Sequence, residues 1–76
     1  MELDGKFVFS ELLEQKPKTS VYVIKNKDSR EAIGLVKWYG SWRRYTYQPF
    51  CDTVYEQTCM REISDFIDRL MEERKQ

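Results

Sequence analysis

Residues 33–48 read IGLVKWYGSWRRYTYQ, and this stretch decides the fold of the 76-residue chain. It holds both tryptophans, Trp38 and Trp42, and three of the five tyrosines. Gly40 and Ser41 interrupt the aromatic run, and a glycine followed by a small polar residue is typical of a two-residue type II′ turn. The stretch therefore predicts a β-hairpin with one strand on either side of this turn.

A turn of that length fixes which residues lie opposite one another. One face carries the pairs Tyr39 with Trp42, Lys37 with Arg44, Leu35 with Thr46, and Ile33 with Gln48. The other face carries Trp38 with Arg43, Val36 with Tyr45, and Gly34 with Tyr47. We expect Val36, Tyr45 and Tyr47 to be buried, because Gly34 leaves room beside them for a helix or an aromatic ring. A shift of one residue would exchange the faces and bury Tyr39 and Trp42 instead.

The first of these faces combines aromatic rings with cations. Like charges directly opposite each other destabilise a sheet, so the pairing of Lys37 with Arg44 indicates a partner or ample water. Rings between basic side chains suit stacked bases and phosphates. The candidate residues for binding a nucleic acid or another partner are Lys37, Tyr39, Trp42, Arg43 and Arg44. The same composition is typical of the centre of a protein interface, so another protein or a second copy of the chain remains an alternative occupant.

The segments before the hairpin predict one more strand and a short helix. Residues 19–27 are rich in β-branched and aromatic side chains and predict a strand that precedes the hairpin strands at 31–39 and 42–48. Ser10 is a candidate N-cap for a helix over residues 10–15 that would place Leu12 and Leu13 against the sheet. A loosely held arm is the alternative for this N-terminal region.

The last third of the chain predicts a long amphipathic helix. Its apolar residues recur at helical spacing: Tyr55, Cys59, Ile63, Phe66, Ile67 and Leu70. Thr53 with Glu56 fits a capping box and starts the helix near Val54, with Thr58 as the alternative cap. We therefore predict a single α+β domain over residues 1–76. It has an N-terminal arm or short helix in 1–18, a three-stranded antiparallel β-meander in 19–48, and one long C-terminal helix in 53–74 packed on one face.

Charge is distributed unevenly although the formal net charge is zero. Residues 16–51 carry a net charge of +6, whereas residues 1–15 and 52–76 carry −3 each. A basic middle between acidic ends favours an anionic partner for the hairpin. Binding of a nucleic acid would then require the acidic C-terminal helix to face away from it.

Several functional classes are not expected. The chain has no histidine and no Cys-x-x-Cys pattern, which argues against a zinc site, and no motif calls for a cofactor. Without the commonest general base, an enzyme is not expected either. Two cysteines eight positions apart and no apolar run of about 20 residues predict a cytoplasmic protein with reduced thiols and no membrane association.

The segment LVKWYGSWRRYTYQP, followed by a helix that contains ISDFIDRL, resembles small uncharacterised proteins encoded by phages and prophages. In those proteins a KWYGxWRxY hairpin precedes a helix that contains Phe-Ile, and the similarity covers about half of this chain. The resemblance implies a viral accessory protein that works in the cytoplasm of a bacterial host, with nucleic acid or a host protein as its partner. It implies no active site.

Overall fold

The computed structural model describes residues 1–74 as an antiparallel sheet covered by one helix. The chain forms, in order, β1 (Val8–Gln15), β2 (Ser20–Asn26), β3 (Ala32–Tyr39), β4 (Arg44–Pro49) and α1 (Gln57–Arg74). The strands lie side by side in chain order, β1-β2-β3-β4, and each pairs antiparallel with the next. The α+β class and the single C-terminal helix agree with the prediction, but the sheet has four strands and not three.

The additional strand is β1, where the sequence predicted a helix over residues 10–15. Val8 to Gln15 pair with Asn26 to Ser20, with a β-bulge between Leu12 and Glu14. Leu12 and Leu13 are 57% and 60% exposed, so they do not pack against the sheet as expected. A six-residue helix has too few hydrogen bonds to offset its nucleation, whereas β2 offers this segment a complete ladder. The ladder therefore overrides the local capping signal of Ser10.

The N-terminal segment is held in place and is not a loose arm. Leu3 is buried, its N–H donates to Ser10 Oγ at 2.8 Å, and its carbonyl accepts from the Ser10 N–H at 2.9 Å. The carboxylate of Glu62 on α1 accepts hydrogen bonds from the backbone N–H groups of Lys6 and Phe7, the second at 3.1 Å. Residues at opposite ends of the chain are thereby joined.

The core lies between the sheet and α1. Val8, Ile24 and Val36 from three strands are fully buried together with Phe66 of α1. The Phe66 ring meets the Tyr22 ring edge to face, with 5.1 Å between centroids. The buried side chains of α1 are Cys59, Ile63, Phe66 and Leu70, four of the six residues of the predicted apolar stripe. Of the other two, Ile67 is half-buried and Tyr55 lies before the helix.

The helix begins at Gln57, later than the predicted start near Val54. Neither Thr53 nor Thr58 caps it. Glu56 does, because its Oε1 accepts a hydrogen bond from the Cys59 N–H at 2.6 Å. The Thr53 hydroxyl is used elsewhere, since it donates to the Phe50 carbonyl at 2.9 Å and lies 3.1 Å from the Tyr55 hydroxyl. Residues 50–56 therefore form a connection that is held by side chains instead of a first helical turn.

Candidate binding surface

The connection between β3 and β4 contains four residues, Gly40 to Arg43, where a two-residue turn was predicted. Tyr39 pairs with Arg44, and Arg43 has a positive φ of 54°. The Arg43 N–H donates to the Tyr39 carbonyl at 2.9 Å, which closes the loop. With this register Lys37 lies opposite Thr46, so the predicted pairing of Lys37 with Arg44 is wrong. The longer loop avoids the like-charge pair that the shorter turn would have imposed.

The longer loop moves β4 by two positions relative to β3, and an even shift keeps the paired residues 34–39 and 44–48 on their predicted faces. Ile33, predicted on the outer face, is instead partly buried against the core. Val36 and Tyr45 are buried and Tyr47 is half-buried on the side that α1 covers, as expected. Trp38 meets Tyr45 edge to face at 5.6 Å between centroids. A Cβ atom on Gly34 would collide with the Tyr47 ring and would lie 2.8 Å from the Gln48 carbonyl oxygen. Gly34 thus provides the close approach of an aromatic ring that the sequence indicated.

The most exposed aromatic pair of the described chain lies at the tip of this hairpin. Trp42 sits in the loop and is 69% exposed, and Tyr39 at the end of β3 is 42% exposed. Their rings are perpendicular, with 5.2 Å between centroids. The contact orients the indole, and its exposure leaves ring surface free for a further contact.

Three cations are neighbours of this pair, along the chain or across the ladder. Lys37 and Arg44 lie on the sheet face away from α1, because they alternate with buried Val36 and Tyr45, while Arg43 lies in the loop beside Trp42. None of these three cations forms an ion pair with an acidic residue within residues 1–74. The structure therefore brings the five candidate residues to one end of the sheet, although Trp42 and Arg43 belong to the loop and not to a strand.

Topology adds basic residues that the sequence did not single out. Successive antiparallel strands bring the β1–β2 turn (residues 16–19), the β3–β4 loop (residues 40–43) and the last turn of α1 to the same end of the sheet. We call this the tip end. Its basic residues are Lys16, Lys18, Lys37, Arg43, Arg44 and Arg74, against Glu14, Glu72 and Glu73. Lys16 and Lys18 were missed because residues 10–15 were predicted as a helix. That prediction gave no location in the sheet for the turn that follows, at residues 16–19.

The two halves of the tip end are tied together by side chains. The Ser20 N–H donates to the Tyr45 hydroxyl at 3.0 Å, and Arg74 Nη1 donates to the Lys18 carbonyl at 2.7 Å. The Arg74 guanidinium also lies over the Trp38 ring, 4.1 Å from its centroid. These contacts hold the β1–β2 turn at a fixed position beside the hairpin.

The edge of β4 borders an apolar groove of about 370 Å³ between the sheet and α1. The groove is lined by Tyr47, Pro49, Tyr55, Met60, Ile63 and Ile67. The Tyr45 N–H is occupied, because it donates to Met71 Sδ at 3.3 Å, and Pro49 has no N–H. Both features protect this edge against pairing with another strand.

Burial raises the pKa of two groups in this region, Tyr47, which lines the groove, and Cys59, which lies in the core. Burial is the main cause of the raised pKa of Tyr47, and the hydrogen bond between its hydroxyl and that of Tyr55 adds to it. Burial also raises the pKa of the Cys59 thiol. Both groups are neutral near pH 7, which suits a structural role.

Residues 1–74 contain no cluster of three or more acidic, cysteine or histidine side chains that could hold a metal ion. The helical part of these residues also lacks the length and hydropathy of a membrane-spanning helix.

Comparison with known proteins gives one informative relative. No family model matches the chain, and no solved structure matches it. An "Uncharacterized 9.3 kDa protein" from Acholeplasma phage L2 is 39% identical over 59 residues, which cover 78% of this chain and 76% of the relative. Identity at this level over most of both chains places this protein in the family of small phage proteins to which the Acholeplasma phage L2 protein belongs.

Proposed function

We propose that this small phage-family protein is a non-enzymatic accessory protein that binds nucleic acid through the tip of its β3–β4 hairpin. The observation that carries the proposal is the exposed Trp42–Tyr39 pair beside Lys37, Arg43 and Arg44, none of which forms an ion pair with an acidic residue within residues 1–74. Such a protein would act in the cytoplasm of the bacterium that the phage infects.

The distribution of charge supports an anionic partner. Exposed acidic side chains of α1, among them Asp65 and Asp68, lie on the helix, which packs on the sheet face opposite Lys37 and Arg44. A strand of nucleic acid on the outer face of the hairpin would therefore not meet Asp65 and Asp68, and of the acidic residues of α1 only Glu72 and Glu73 lie at the tip end. Phosphates of the nucleic acid would meet Arg43 and Arg44 first. On a single strand, each neutralised phosphate would contribute about −0.7 to the slope of log K against log salt concentration.

The aromatic pair supports stacking with bases. A base on an exposed aromatic ring contributes on the order of 1–3 kcal/mol, independent of its identity. Because Tyr39 supports the Trp42 ring from the side, little side-chain freedom remains to be lost on binding. We therefore expect binding that tolerates many sequences and weakens steeply with salt.

The absence of an enzymatic activity is part of the proposal. The sequence has no histidine, and the buried thiol of Cys59 is held in its neutral form by a raised pKa. A nucleophile or a general base would need the opposite environment.

Titration with labelled oligonucleotides at 50 and 200 mM salt tests this function. Trp42→Ala should weaken binding roughly 5- to 150-fold, the loss of one stacked base. Arg44→Ala should weaken it and reduce the dependence on salt. The matched control is Val54→Ala, which truncates another exposed apolar side chain far from the tip end. The proposal fails if no oligonucleotide binds at 50 mM salt, or if Trp42→Ala and Arg44→Ala bind as tightly as the unaltered protein.

A protein-binding module is the second candidate, favoured by the apolar groove beside β4. Met60, which lines that groove, is 54% exposed, and Val54, 92% exposed, directly precedes Tyr55, which also lines it. A host protein or a second copy of the chain would cover this surface together with Trp42. Sedimentation at rising concentration, and co-purification of one stoichiometric partner after nuclease treatment, would support this candidate. A nuclease-sensitive association would count against it.

A further inference from the structure

The β1–β2 turn lies beside the hairpin tip and carries two lysines. We infer that the ligand is single-stranded nucleic acid and that this turn forms one half of the binding site, the hairpin tip being the other half. This inference rests on the proposed function. In this arrangement Lys16 and Lys18 bind phosphates of the same strand whose bases stack on Trp42. The turn was outside the candidate site predicted from sequence.

The β1–β2 turn is close enough to Trp42 for one short single strand of nucleic acid to contact both. Adjacent strands of a sheet are about 4.8 Å apart, so the β1–β2 turn and the β3–β4 loop are centred roughly 10 Å apart. Small single-strand-binding modules cover sites of about 4 nucleotides or more, which exceeds this separation. A strand of nucleic acid that stacks on Trp42 and continues over this end of the sheet would reach Lys18, which lies on the α1 side beside Glu73 and Arg74, within its first few phosphates.

Hydrogen bonds hold the backbone of the β1–β2 turn in a fixed conformation. The Lys16 N–H donates to the Thr19 carbonyl at 2.8 Å, and Gln15 Nε2 donates to the Lys16 carbonyl at 3.0 Å. Arg74 fixes the Lys18 carbonyl from the side of α1. The turn backbone thus requires little ordering when a ligand binds, which favours affinity.

The charges on the turn are available to a ligand. Lys18 forms no ion pair within residues 1–74. Lys16 has one carboxylate near it, that of Glu14, at 4.0 Å, and both side chains are at least half exposed. Such an exposed pair contributes little and is easily replaced by a phosphate.

The exposed ring favours a single strand over a duplex. Bases inside a duplex stack on one another and do not offer their faces to a side chain, whereas unpaired bases do. Trp42 lies at the end of a hairpin with its ring surface exposed, which suits an unpaired base. A duplex would present only phosphates to the same surface.

The experiment compares Lys16→Ala/Lys18→Ala with Lys6→Ala/Lys27→Ala in the full chain, after circular dichroism has shown that both variants fold. The second variant removes the same charge from the opposite end of the sheet, where Lys27 pairs with Asp4. Binding of a labelled thymidine 12-mer and of a matched duplex is measured by anisotropy at 50 and 200 mM salt. Quenching of tryptophan fluorescence at saturation is recorded in parallel.

We expect Lys16→Ala/Lys18→Ala to weaken single-strand binding roughly tenfold and to reduce the salt slope by about 1.4, which corresponds to two phosphates at about 0.7 each. Fluorescence quenching at saturation should be unchanged, because stacking on Trp42 remains. Lys6→Ala/Lys27→Ala should bind within twofold of the unaltered protein.

An unaltered salt slope in the turn variant, together with a loss of binding in Trp42→Ala, would overturn the role of the turn and leave the proposed function standing. Equal affinity for the duplex would overturn the assignment to single strands, and an unaltered protein that binds neither probe would overturn the proposed function itself.

Discussion

Both faces of the β3–β4 hairpin carry aromatic side chains, but one face packs them and the other leaves them exposed. On the face under α1, every ring has fixed partners: Tyr45 accepts from the Ser20 N–H, Tyr47 bonds to Tyr55, and Trp38 lies between Tyr45 and Arg74. On the other face, Tyr39 and Trp42 contact mainly each other and remain exposed. A ring that is covered by its neighbours has no surface left for a partner. Only the second face therefore retains aromatic surface that a partner can contact. Stability and binding should therefore separate when the two faces are mutated.

The largest effect is expected from truncating Phe66, the fully buried α1 side chain in the core over the buried face. Phe66→Ala should lower the free energy of unfolding by about 3–5 kcal/mol, because a fully buried ring leaves a cavity. Trp42→Ala, an equally drastic truncation on the exposed face, should cost about 1 kcal/mol or less. Urea unfolding followed by circular dichroism measures both. Equal losses in the two variants would contradict the division between the faces.

The next effect comes from the contact between Gly34 and Tyr47. Gly34→Ala should destabilise the protein by about 1–3 kcal/mol, because the new methyl group meets the Tyr47 ring and the Gln48 carbonyl. Gly40→Ala is the matched control, since a Cβ there would meet no atom within 4 Å from the described residues other than its chain neighbours, and the φ of Gly40 is not positive. Thermal unfolding should leave the Gly40 variant unchanged or slightly more stable. A Gly34 variant as stable as the Gly40 variant would mean that the ring does not approach the strand closely.

A smaller effect is expected from removing single hydroxyl groups. The Tyr55 hydroxyl donates to the Ile33 carbonyl at 2.8 Å and bonds to Tyr47, so Tyr55→Phe should cost about 0.5–1.5 kcal/mol. Tyr39→Phe removes a hydroxyl from the exposed face and should change stability by less than about 0.5 kcal/mol. Parallel urea titrations give the difference. If Tyr39→Phe costs as much as Tyr55→Phe, the exposed face is more tightly held than the structure indicates.

The smallest effect concerns pH and the start of α1, which covers the buried face. Hydrogen bonds from the backbone N–H groups of Thr58 and Cys59 lower the pKa of the Glu56 carboxyl below 4.5. A lowered pKa means that the ionised form stabilises the fold above about pH 4.5, and this contribution disappears as pH falls through the folded-state pKa. The difference in melting temperature between the unaltered protein and Glu56→Gln should therefore be greatest near pH 7 and shrink at pH 3. A difference that is constant with pH would show that the charge of Glu56 plays no part in capping.

The sequence predicted the faces of the hairpin better than its turn. Alternation along β3 and β4 depends only on whether the shift is odd or even, so Val36 and Tyr45 were assigned to the core although the register was displaced by two. The length of the loop depends on which cross-strand pairs are favourable, and the local preference of Gly40 and Ser41 contains no information about Lys37 and Arg44.

The remaining errors also concern contacts between distant residues. Ser10 is a good local cap, but β2 provides a ladder that a short helix cannot match. Thr53 fits a capping box, but the Phe50 carbonyl and the Tyr55 hydroxyl engage it first. The positions of Lys16 and Lys18 at the tip end followed only after β1 was recognised as a strand. The basic aromatic hairpin could be identified from its own composition, whereas the rest of the tip end required the topology.

The joining of α1 to the start of the chain has a consequence for biosynthesis. Phe7 and Glu62 are 55 positions apart, and Phe66 completes the cover over Val8, Ile24 and Val36. While the ribosome makes this chain, all four strands emerge before the residues that shield their apolar face. Synthesis at about 5–20 residues per second leaves that face uncovered for a second or more, a period in which chaperones or other chains have access to it. Folding to the native state is therefore completed only after α1 has left the exit tunnel.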